Sequence, residues 1–199
     1  MSSAVTKLAT WADLAALQEG SRAEIVAGVL HVAPAPLPEH ARAQGGLTRG
    51  VGGPFDGDDG RGGPGGWWIL AKVDVRLGPH DIVRPDLSGW RRERLPSPWG
   101  VRPLDVVPDW VCEIVSTSSA RMDRVHKRAL YARAGVASYW IVDPAARTPE
   151  ALRLVDGIWQ DAGSFDESAP ARIPPFEAVA LELERLFPPA PGGGEVHGG

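Results

Sequence analysis

Two apolar segments with a helix-forming stretch between them constrain the fold of this 199-residue chain more than any other feature. Residues 110–115 and 139–142 are nearly continuously apolar, which is the pattern of strands that are covered on both faces. Between them, the serine cluster at residues 116–119 offers N-caps for a helix that extends to about Ala134 and ends at Gly135. This order of a strand, a helix and a second strand predicts a sheet with the helix crossing one face.

Alternating and turn-bounded segments predict further strands. Residues 67–77 alternate apolar and polar side chains, which predicts one strand with a core face and a polar face. Residues 82–87 form a further strand with a proline near its end. Hairpins are predicted at residues 24–32 and 152–159, because each contains a two-residue turn with glycine in second position.

The helical patterns are weaker. A capping box at Thr10 and Asp13 predicts a short helix over residues 11–18, and residues 41–51 form a weak helix that glycines cut short. In the helix before Gly135, an apolar stripe at helical spacing is predicted to face the core: Met122, Val125, Ala129 and Ala132. We therefore predict the α/β (α+β) class, with a mixed β-sheet flanked by helices and an N-terminal β-hairpin.

Glycine and proline are concentrated in two segments. Of the 24 glycines, eleven fall within residues 45–66 and five within residues 192–199. We predict a single domain over residues 10–187, with disordered ends at residues 1–9 and 188–199 and a mobile loop at about residues 54–66. Asp56 and Asp58 in this loop lack the ligand spacing of an EF-hand, which favours a solvated linker over a calcium site.

Charge and composition exclude several classes of protein. The net charge of −4 argues against binding nucleic acid through bulk charge, although residues 84–142 hold ten Lys and Arg against six Asp and Glu. The single cysteine, Cys112, cannot form an internal disulfide, and no Cys/His spacing fits a zinc site. No run of 18 apolar residues is present, so we expect a cytoplasmic protein without membrane contact.

Two carboxylates stand among apolar strand residues. Asp86 and Glu113 would each be costly to bury in ionised form unless paired or bound to a cation. A magnesium ion would neutralise both, since it takes oxygen ligands and often uses one or two protein carboxylates together with a substrate phosphate. The alternatives are a turn cap for Asp86 and a buried salt bridge to an arginine for Glu113.

These residues also carry a family resemblance. Pro85-Asp86 followed by Glu113-Ile114-Val115 resembles the signature of the PD-(D/E)XK nuclease superfamily, with Val115 in place of the usual lysine. More narrowly, residues 10–159 resemble a widespread bacterial family of putative restriction endonucleases. The motifs that carry this narrower resemblance are Glu24 with Gly28, the Pro-rich run into His40, Pro85-Asp86, Glu113 to Ser116, Asp123 with Lys127 and Tyr131, Gly135-Val136, Tyr139-Trp140 and Asp143-Pro144.

The resemblance implies a restriction-endonuclease-like core and the hydrolysis of phosphodiester bonds, in DNA rather than RNA. It implies Mg²⁺, with Mn²⁺ as an alternative, bound by Asp86 and Glu113 with the Ile114 carbonyl as a further ligand. Lys127 is then the catalytic lysine, moved to the following helix. Asp123, Lys127 and Tyr131 are four residues apart and share one helical face, but an exposed Asp123–Lys127 ion pair also explains the spacing.

Glu24 and His40 are weaker candidates for the site, and Lys72 and Asp74 are assigned to no site. The resemblance suggests that Glu24 lies near the metal; the alternative is an ordinary solvent-facing strand residue. His40 is a candidate for relaying a proton or contacting the phosphate; the alternative is a solvent-facing histidine at a helix start. Lys72 and Asp74 lie on the polar face of their strand, and we expect this face to be solvated rather than to line the same cleft.

Two other functions compete with a nuclease. A nuclease-like fold that no longer cuts, and serves as a binding module, is favoured by the missing lysine at position 115. A structural homodimer is the third, since Trp-rich strand edges can pair between subunits. Dimerisation is equally compatible with a nuclease, and we expect a homodimer.

Overall fold

The computed structural model describes residues 7–18, 20–57 and 62–189, and in them two β-sheets with helices on their faces. One sheet has four strands in the order β2-β1-β5-β4, and the other has six in the order β10-β9-β8-β7-β6-β3. The strands are β1 (Ala23–Val26), β2 (Val29–Val32), β3 (Trp67–Ala71), β4 (Val75–Gly78), β5 (Asp81–Val83), β6 (Leu87–Arg91), β7 (Trp110–Ile114), β8 (Ser138–Asp143), β9 (Thr148–Val155) and β10 (Ile158–Ser164).

The helices are short and lie mainly between strands. They are α1 (Trp11–Ala15), α2 (Pro38–Leu47), α3 (Gly53–Phe55) and α4 (Arg128–Ala134), with π-helical segments at Thr48–Gly52 and Met122–Lys127 and a 3₁₀ turn at Leu183–Leu186. In the described part of the chain, no helix has the length and apolarity needed to cross a membrane.

The centre of the six-stranded sheet confirms the opening prediction. Every residue of β7 is buried, and β7 pairs in parallel with β8, the strand that follows the helix. The other pairings in this sheet are antiparallel, so the sheet is mixed, as predicted. Its two faces carry separate hydrophobic cores, one built around Trp110 and Trp140 and the other around Trp90 and Tyr131.

Both predicted hairpins are present. β1 and β2 are joined through Ala27 and Gly28, whose φ angles of 51° and 75° are those of a tight two-residue turn. The second hairpin is longer than predicted, because β9 begins at Thr148 and β10 continues to Ser164. The N-terminal hairpin belongs to the four-stranded sheet and not to the larger one.

The prediction of one strand over residues 67–77 is wrong, because the chain changes sheet in the middle of it. β3 belongs to the six-stranded sheet and β4 to the four-stranded sheet, and the chain turns at Lys72, where φ is 55°. The return is equally abrupt: β5 ends at Val83 in the smaller sheet, and β6 begins at Leu87 in the larger one. Residues 82–87 are therefore also parts of two strands.

Helix α2 corrects a second prediction. The glycines do not cut it short, because helical backbone continues from Pro38 through the π-helical segment and α3 to Phe55. A glycine is required at position 46, where a Cβ would lie 2.7 Å from Cδ2 of Leu186. The first helix, α1, has the predicted capping box but ends at Ala15 instead of Gln18.

The helix before Gly135 also buries a different face from the one predicted. Val125 and Ala129 of the apolar stripe are exposed, whereas Asp123 and Lys127 are buried. Lys127 faces inward because it contacts a buried carboxylate of β7, and Asp123 lies 3.6 Å from Lys127, as described below.

The predicted mobile loop at residues 54–66 lies only partly within the described residues. Pro54 and Phe55 belong to α3, and Phe55 packs in the core against the ring of Phe176. Residues 58–61, and with them Asp58, lie outside the described residues, as do residues 1–6 and 190–199 of the two predicted disordered ends.

Candidate active site

Lys72, Asp86 and Glu113 lie in one row across three neighbouring strands. The register that pairs Ala71 with Leu87 brings Lys72 opposite Asp86 one step further along. The register that pairs Leu87 with Cys112 likewise brings Asp86 opposite Glu113. Lys72 and Asp86 lie one residue beyond the ends of β3 and β6, and their side chains form an ion pair beside Glu113 of β7.

Asp86 is buried and bonded through both carboxylate oxygens. Its Oδ2 accepts a hydrogen bond from the backbone N–H of Ile114 at 2.7 Å. Its Oδ1 lies 3.0 Å from Nε2 of His40 and also pairs with the ammonium group of Lys72. Burial opposes ionisation of Asp86, but His40 and Lys72 outweigh it and lower the pKa of the carboxyl group below its usual value. Asp86 is therefore an ionised carboxylate at neutral pH.

Glu113 is 3% exposed and takes its hydrogen bonds from the crossing helix. Its Oε1 accepts from Nζ of Lys127 at 3.0 Å and from the hydroxyl of Tyr131 at 2.5 Å. The partner of this buried carboxylate is therefore a lysine, and not the arginine of the alternative considered from the sequence.

Lys127 lies between three carboxylates. Its Nζ is 2.8 Å from Oε2 of Glu24, 3.0 Å from Oε1 of Glu113 and 3.6 Å from Oδ1 of Asp123. Glu24 reaches this position from β1, and its Oε1 also accepts from the backbone N–H of Arg84 at 2.5 Å. The Lys127 side chain is 5% exposed, so the prediction of an exposed Asp123–Lys127 pair is wrong.

Burial and the crowding of carboxylates change the pKa values of this cluster. Burial raises the pKa of Glu113 to about 8; Lys127 opposes this rise, whereas Asp123, Asp86 and Glu24 add to it. Burial also raises the pKa of Asp123. For Lys127, burial disfavours the charge, but Glu113, Glu24 and Asp123 outweigh it and raise the pKa well above the usual value. Lys127 is therefore an ammonium ion, and Glu113 retains a proton at neutral pH.

The cluster has an excess of negative charge when its groups are counted at their ordinary ionisation states. Four carboxylates, those of Glu24, Asp86, Glu113 and Asp123, face two ammonium groups, those of Lys72 and Lys127. The carboxylates therefore outnumber the lysines by two. Burial is the main cause of the raised pKa of Glu113, the carboxylates of Asp123, Asp86 and Glu24 add to it, and protonation of Glu113 removes one negative charge.

The donor set fits a magnesium ion. Over residues 7–18, 20–57 and 62–189, no three His, Cys, Asp or Glu side chains are grouped closely enough to hold a metal by themselves. Magnesium does not need such a group, because it commonly binds through one or two carboxylates and completes its octahedron with water and phosphate oxygens. Asp86 and Glu113 supply two carboxylates, and the surplus of carboxylates over lysines in the cluster favours a divalent cation.

The structure brings together all five residues that the sequence indicated: Asp86, Glu113, Lys127, Glu24 and His40. Glu24 and His40 contact the cluster directly and do not face solvent as in their alternatives. Their catalytic and metal-binding roles remain predictions.

The sequence favoured a solvated face for Lys72 over a place in the cleft, but the strand breaks at that residue and its ammonium group pairs with Asp86. Asp74 is not solvated either: it is buried and paired with Arg84 and Arg102. The four-residue spacing of Tyr131 from Lys127 predicted that both lie on one helical face, but the hydrogen bond from Tyr131 to Glu113 did not follow from the sequence.

Comparisons with known proteins agree with this architecture. The model of the family Uma2, described as "Putative restriction endonuclease", matches residues 10–184. Among solved structures, a protein from Anabaena variabilis described as a putative nuclease belonging to DUF820 is similar, with a TM-score of 0.66 and 20% sequence identity. The match covers 89% of this chain and 97% of that one, and it confirms the predicted restriction-endonuclease-like fold. No protein with a curated function matches the chain significantly.

Proposed function

Because the chain belongs to the Uma2 family of putative restriction endonucleases, we propose that it is a Mg²⁺-dependent endonuclease that hydrolyses phosphodiester bonds in DNA. The observation that carries the proposal is the pair of buried carboxylates Asp86 and Glu113 on neighbouring strands, within a cluster that holds four carboxylates and two lysines.

Asp86, Glu113 and the Ile114 carbonyl would hold the ion. When bound, Mg²⁺ supplies polarisation of the scissile phosphate and acidifies a water molecule that attacks phosphorus. Mn²⁺, which also takes oxygen ligands, is the expected substitute.

The residues of the chain then have separable tasks. The backbone N–H of Ile114 fixes one oxygen of Asp86, so that the other faces the site. Tyr131 and Lys127 fix Oε1 of Glu113 from the crossing helix. Lys127 does not act as a general base, because its raised pKa keeps it protonated; it positions Glu113 and offsets the charge of the cluster.

The nucleic-acid substrate is supported by the distribution of charge. Residues 84–142, which include Asp86, Glu113 and Lys127, hold ten Lys and Arg against six Asp and Glu, although the whole chain is acidic. A locally positive segment attracts the phosphate backbone. DNA rather than RNA, and a homodimer as the active form, belong to the same proposal and are tested by substrate comparison and light scattering.

The direct test is cleavage of plasmid and of labelled DNA and RNA oligonucleotides, each with an excess of Mg²⁺ and with EDTA. The wild type should cut DNA only with Mg²⁺, and Asp86→Ala should not cut. Asp105→Ala is the matched control, because Asp105 is an acidic residue whose side chain is 67% exposed. Metal-dependent cleavage that survives in Asp86→Ala would refute the assignment of the site.

A non-catalytic binding module is the second candidate, and Val115 in the position of the usual lysine favours it. Calorimetric titration with Mg²⁺ separates the two, since a module without catalysis does not need to bind metal between Asp86 and Glu113. Binding of DNA without metal binding or cleavage would establish the module.

A further inference from the structure

We propose that Lys72 is an exchangeable cation: it occupies Oδ1 of Asp86 while the site is free of metal, leaves when Mg²⁺ binds there, and then contacts the substrate phosphate. This inference rests on the proposed function and assigns a role to a lysine that lies outside the sequence motifs of the site.

Both carboxylate oxygens of Asp86 already have partners. Oδ2 is committed to the backbone N–H of Ile114 at 2.7 Å, and a backbone group in the centre of a sheet does not move away. Oδ1 accepts both Lys72 and His40, so both of its lone pairs are used. A metal ion that takes Oδ1 of Asp86 as its ligand must therefore displace one of these two partners.

Lys72 is the partner that can leave. Its side chain is 45% exposed, whereas that of His40 is 12% exposed and is enclosed beside the sheet. The backbone of Lys72 is held at the sheet edge by a hydrogen bond from its N–H to the carbonyl of Pro85 at 3.2 Å. Displacement of the ammonium group then needs only rotation of a flexible side chain, which takes the charge towards water.

Lys127 cannot take this role, although it is the lysine that the sequence motif indicated. Three carboxylates surround its ammonium group, which holds it in place. Its side chain is 5% exposed, so it has no path to solvent. Of the two lysines in the cluster, only Lys72 is exposed enough to reach a phosphate that approaches Asp86 from solution.

The sequence makes a direct test practical, because it contains only three lysines, Lys7, Lys72 and Lys127. The side chain of Lys7 is 82% exposed and serves as the exposed reference, and that of Lys127 is 5% exposed and serves as the buried reference. The side chain of Lys72, the residue under test, is 45% exposed. Brief acylation with acetic anhydride, followed by peptide mass spectrometry, measures the labelling rate of each amine with and without saturating Mg²⁺.

Release from Asp86 should raise the labelling rate of Lys72 about threefold, because the amine is no longer held in an ion pair. The rates of Lys7 and Lys127 should stay unchanged, and in Asp86→Asn the rate of Lys72 should not respond to Mg²⁺. An unchanged or lower rate for Lys72 in wild-type protein that calorimetry shows to be loaded with Mg²⁺ would overturn the proposal.

Substitution provides the second arm. Lys72→Met removes the competing cation, so calorimetry should show Mg²⁺ binding tightened about fivefold, while cleavage at saturating Mg²⁺ falls at least about tenfold. Lys72→Arg keeps the charge and controls for a folding defect caused by substitution at this position. It should retain the metal affinity of the wild type. A Lys72→Met protein with unchanged metal affinity and cleavage overturns the role of Lys72 but leaves the proposed function intact. Wild-type protein that binds no Mg²⁺ overturns both.

Discussion

Nζ of Lys127 lies 3.0 Å from Oε1 of Glu113, so a lysine from the crossing helix reaches the carboxylate of β7. In the PD-(D/E)XK signature the lysine lies two residues after this glutamate, on the same face of the strand. Here that position is Val115, which packs in a hydrophobic core with Leu130 of α4. The helix therefore supplies both the apolar contact for Val115 and the cation for Glu113.

Replacement of Lys127 should be strongly destabilising. Lys127→Met leaves Glu24, Glu113 and Asp123 without their shared cation, and breaking a buried ion pair in this way costs about 3–5 kcal/mol. Urea unfolding monitored by tryptophan fluorescence measures the free energy of unfolding. Arg124→Met is the control from the same helix turn, because Arg124 pairs with two partly exposed carboxylates and should contribute about 1 kcal/mol or less. Equal losses for the two variants would contradict the proposed buried cluster.

Glu113→Gln should stabilise the metal-free protein at alkaline pH. The folded protein holds a proton on Glu113 up to a pKa of about 8, whereas the unfolded chain releases it near 4.5. Unfolding therefore releases a proton between these values, and the stability of the wild type should fall as pH rises from about 5 to 8. Glutamine is neutral throughout, so the variant should lose most of this slope and exceed the wild type at pH 8 by on the order of 2–3 kcal/mol.

Thermal melting at half-unit pH steps in EDTA measures this slope. Glu93→Gln is the matched control, since Glu93 is exposed and its replacement should leave the slope unchanged. A Glu113→Gln protein with the same pH slope as the wild type would show that Glu113 is not the group that titrates.

The buried centre of this fold was predictable because its signal is local. Residues 110–115 and 139–142 are apolar enough to specify covered strands, and a helix between two such strands leads to a parallel pair. The change of sheet at Lys72 and the return before Asp86 were not predictable. They depend on the long-range pairing of β5 with β1 of the N-terminal hairpin, and of β4 with β5, which competes with the local alternation of residues 67–77.

The candidate site, like the fold, was predictable only in part. Asp86 and Glu113 stood out because a carboxylate in an apolar strand is costly without a partner. The face of the helix that carries Lys127 was mispredicted as apolar, because side-chain periodicity assumes that polar residues face water. Here, the buried carboxylate of Glu113 reverses that preference. Such a reversal depends on contacts 14 residues or more apart along the chain.

Binding of Mg²⁺ should release protons, because the ion requires an ionised carboxylate and Glu113 is protonated at neutral pH. The affinity for Mg²⁺ should therefore rise with pH from about 6 to 8 and level off above the pKa of about 8. Calorimetry at pH 7 in PIPES and in Tris, whose ionisation enthalpies differ, gives the number of protons released. We expect close to one per ion at pH 7 and close to none at pH 9. Proton release equal at both values would contradict the assignment of Glu113 as a ligand.

Tyr131→Phe should weaken the hold on Glu113 without opening a cavity. It removes the hydroxyl that donates to Oε1 of Glu113 at 2.5 Å, and at neutral pH, where Glu113 is protonated, loss of this hydrogen bond should lower the free energy of unfolding by about 0.5–1.5 kcal/mol. Because that bond favours ionised Glu113, the variant should need a higher pH to bind Mg²⁺ than the wild type does. Tyr139→Phe is the control, since Tyr139 is equally buried but donates to the backbone carbonyl of Asp123 at 3.1 Å. It should lose stability without shifting the pH dependence of Mg²⁺ binding.

Gly46→Ala tests how α2, which carries His40 to Asp86, is held against the end of the chain. A Cβ at position 46 would lie 2.7 Å from Cδ2 of Leu186 and 3.2 Å from the carbonyl oxygen of Arg185, and a backbone oxygen cannot move aside without shifting the 3₁₀ turn. We expect a loss of about 1–3 kcal/mol from this overpacking, against a gain in helix propensity of about 1 kcal/mol. Gly45→Ala is the matched control in the same helix, because its Cβ would only meet the flexible guanidinium group of Arg49 at 3.6 Å. Gly45→Ala should therefore raise the thermal midpoint and Gly46→Ala should lower it. A stabilising Gly46→Ala would mean that α2 does not pack closely against Leu186, and that the position of His40 relative to Asp86 is not fixed by this contact.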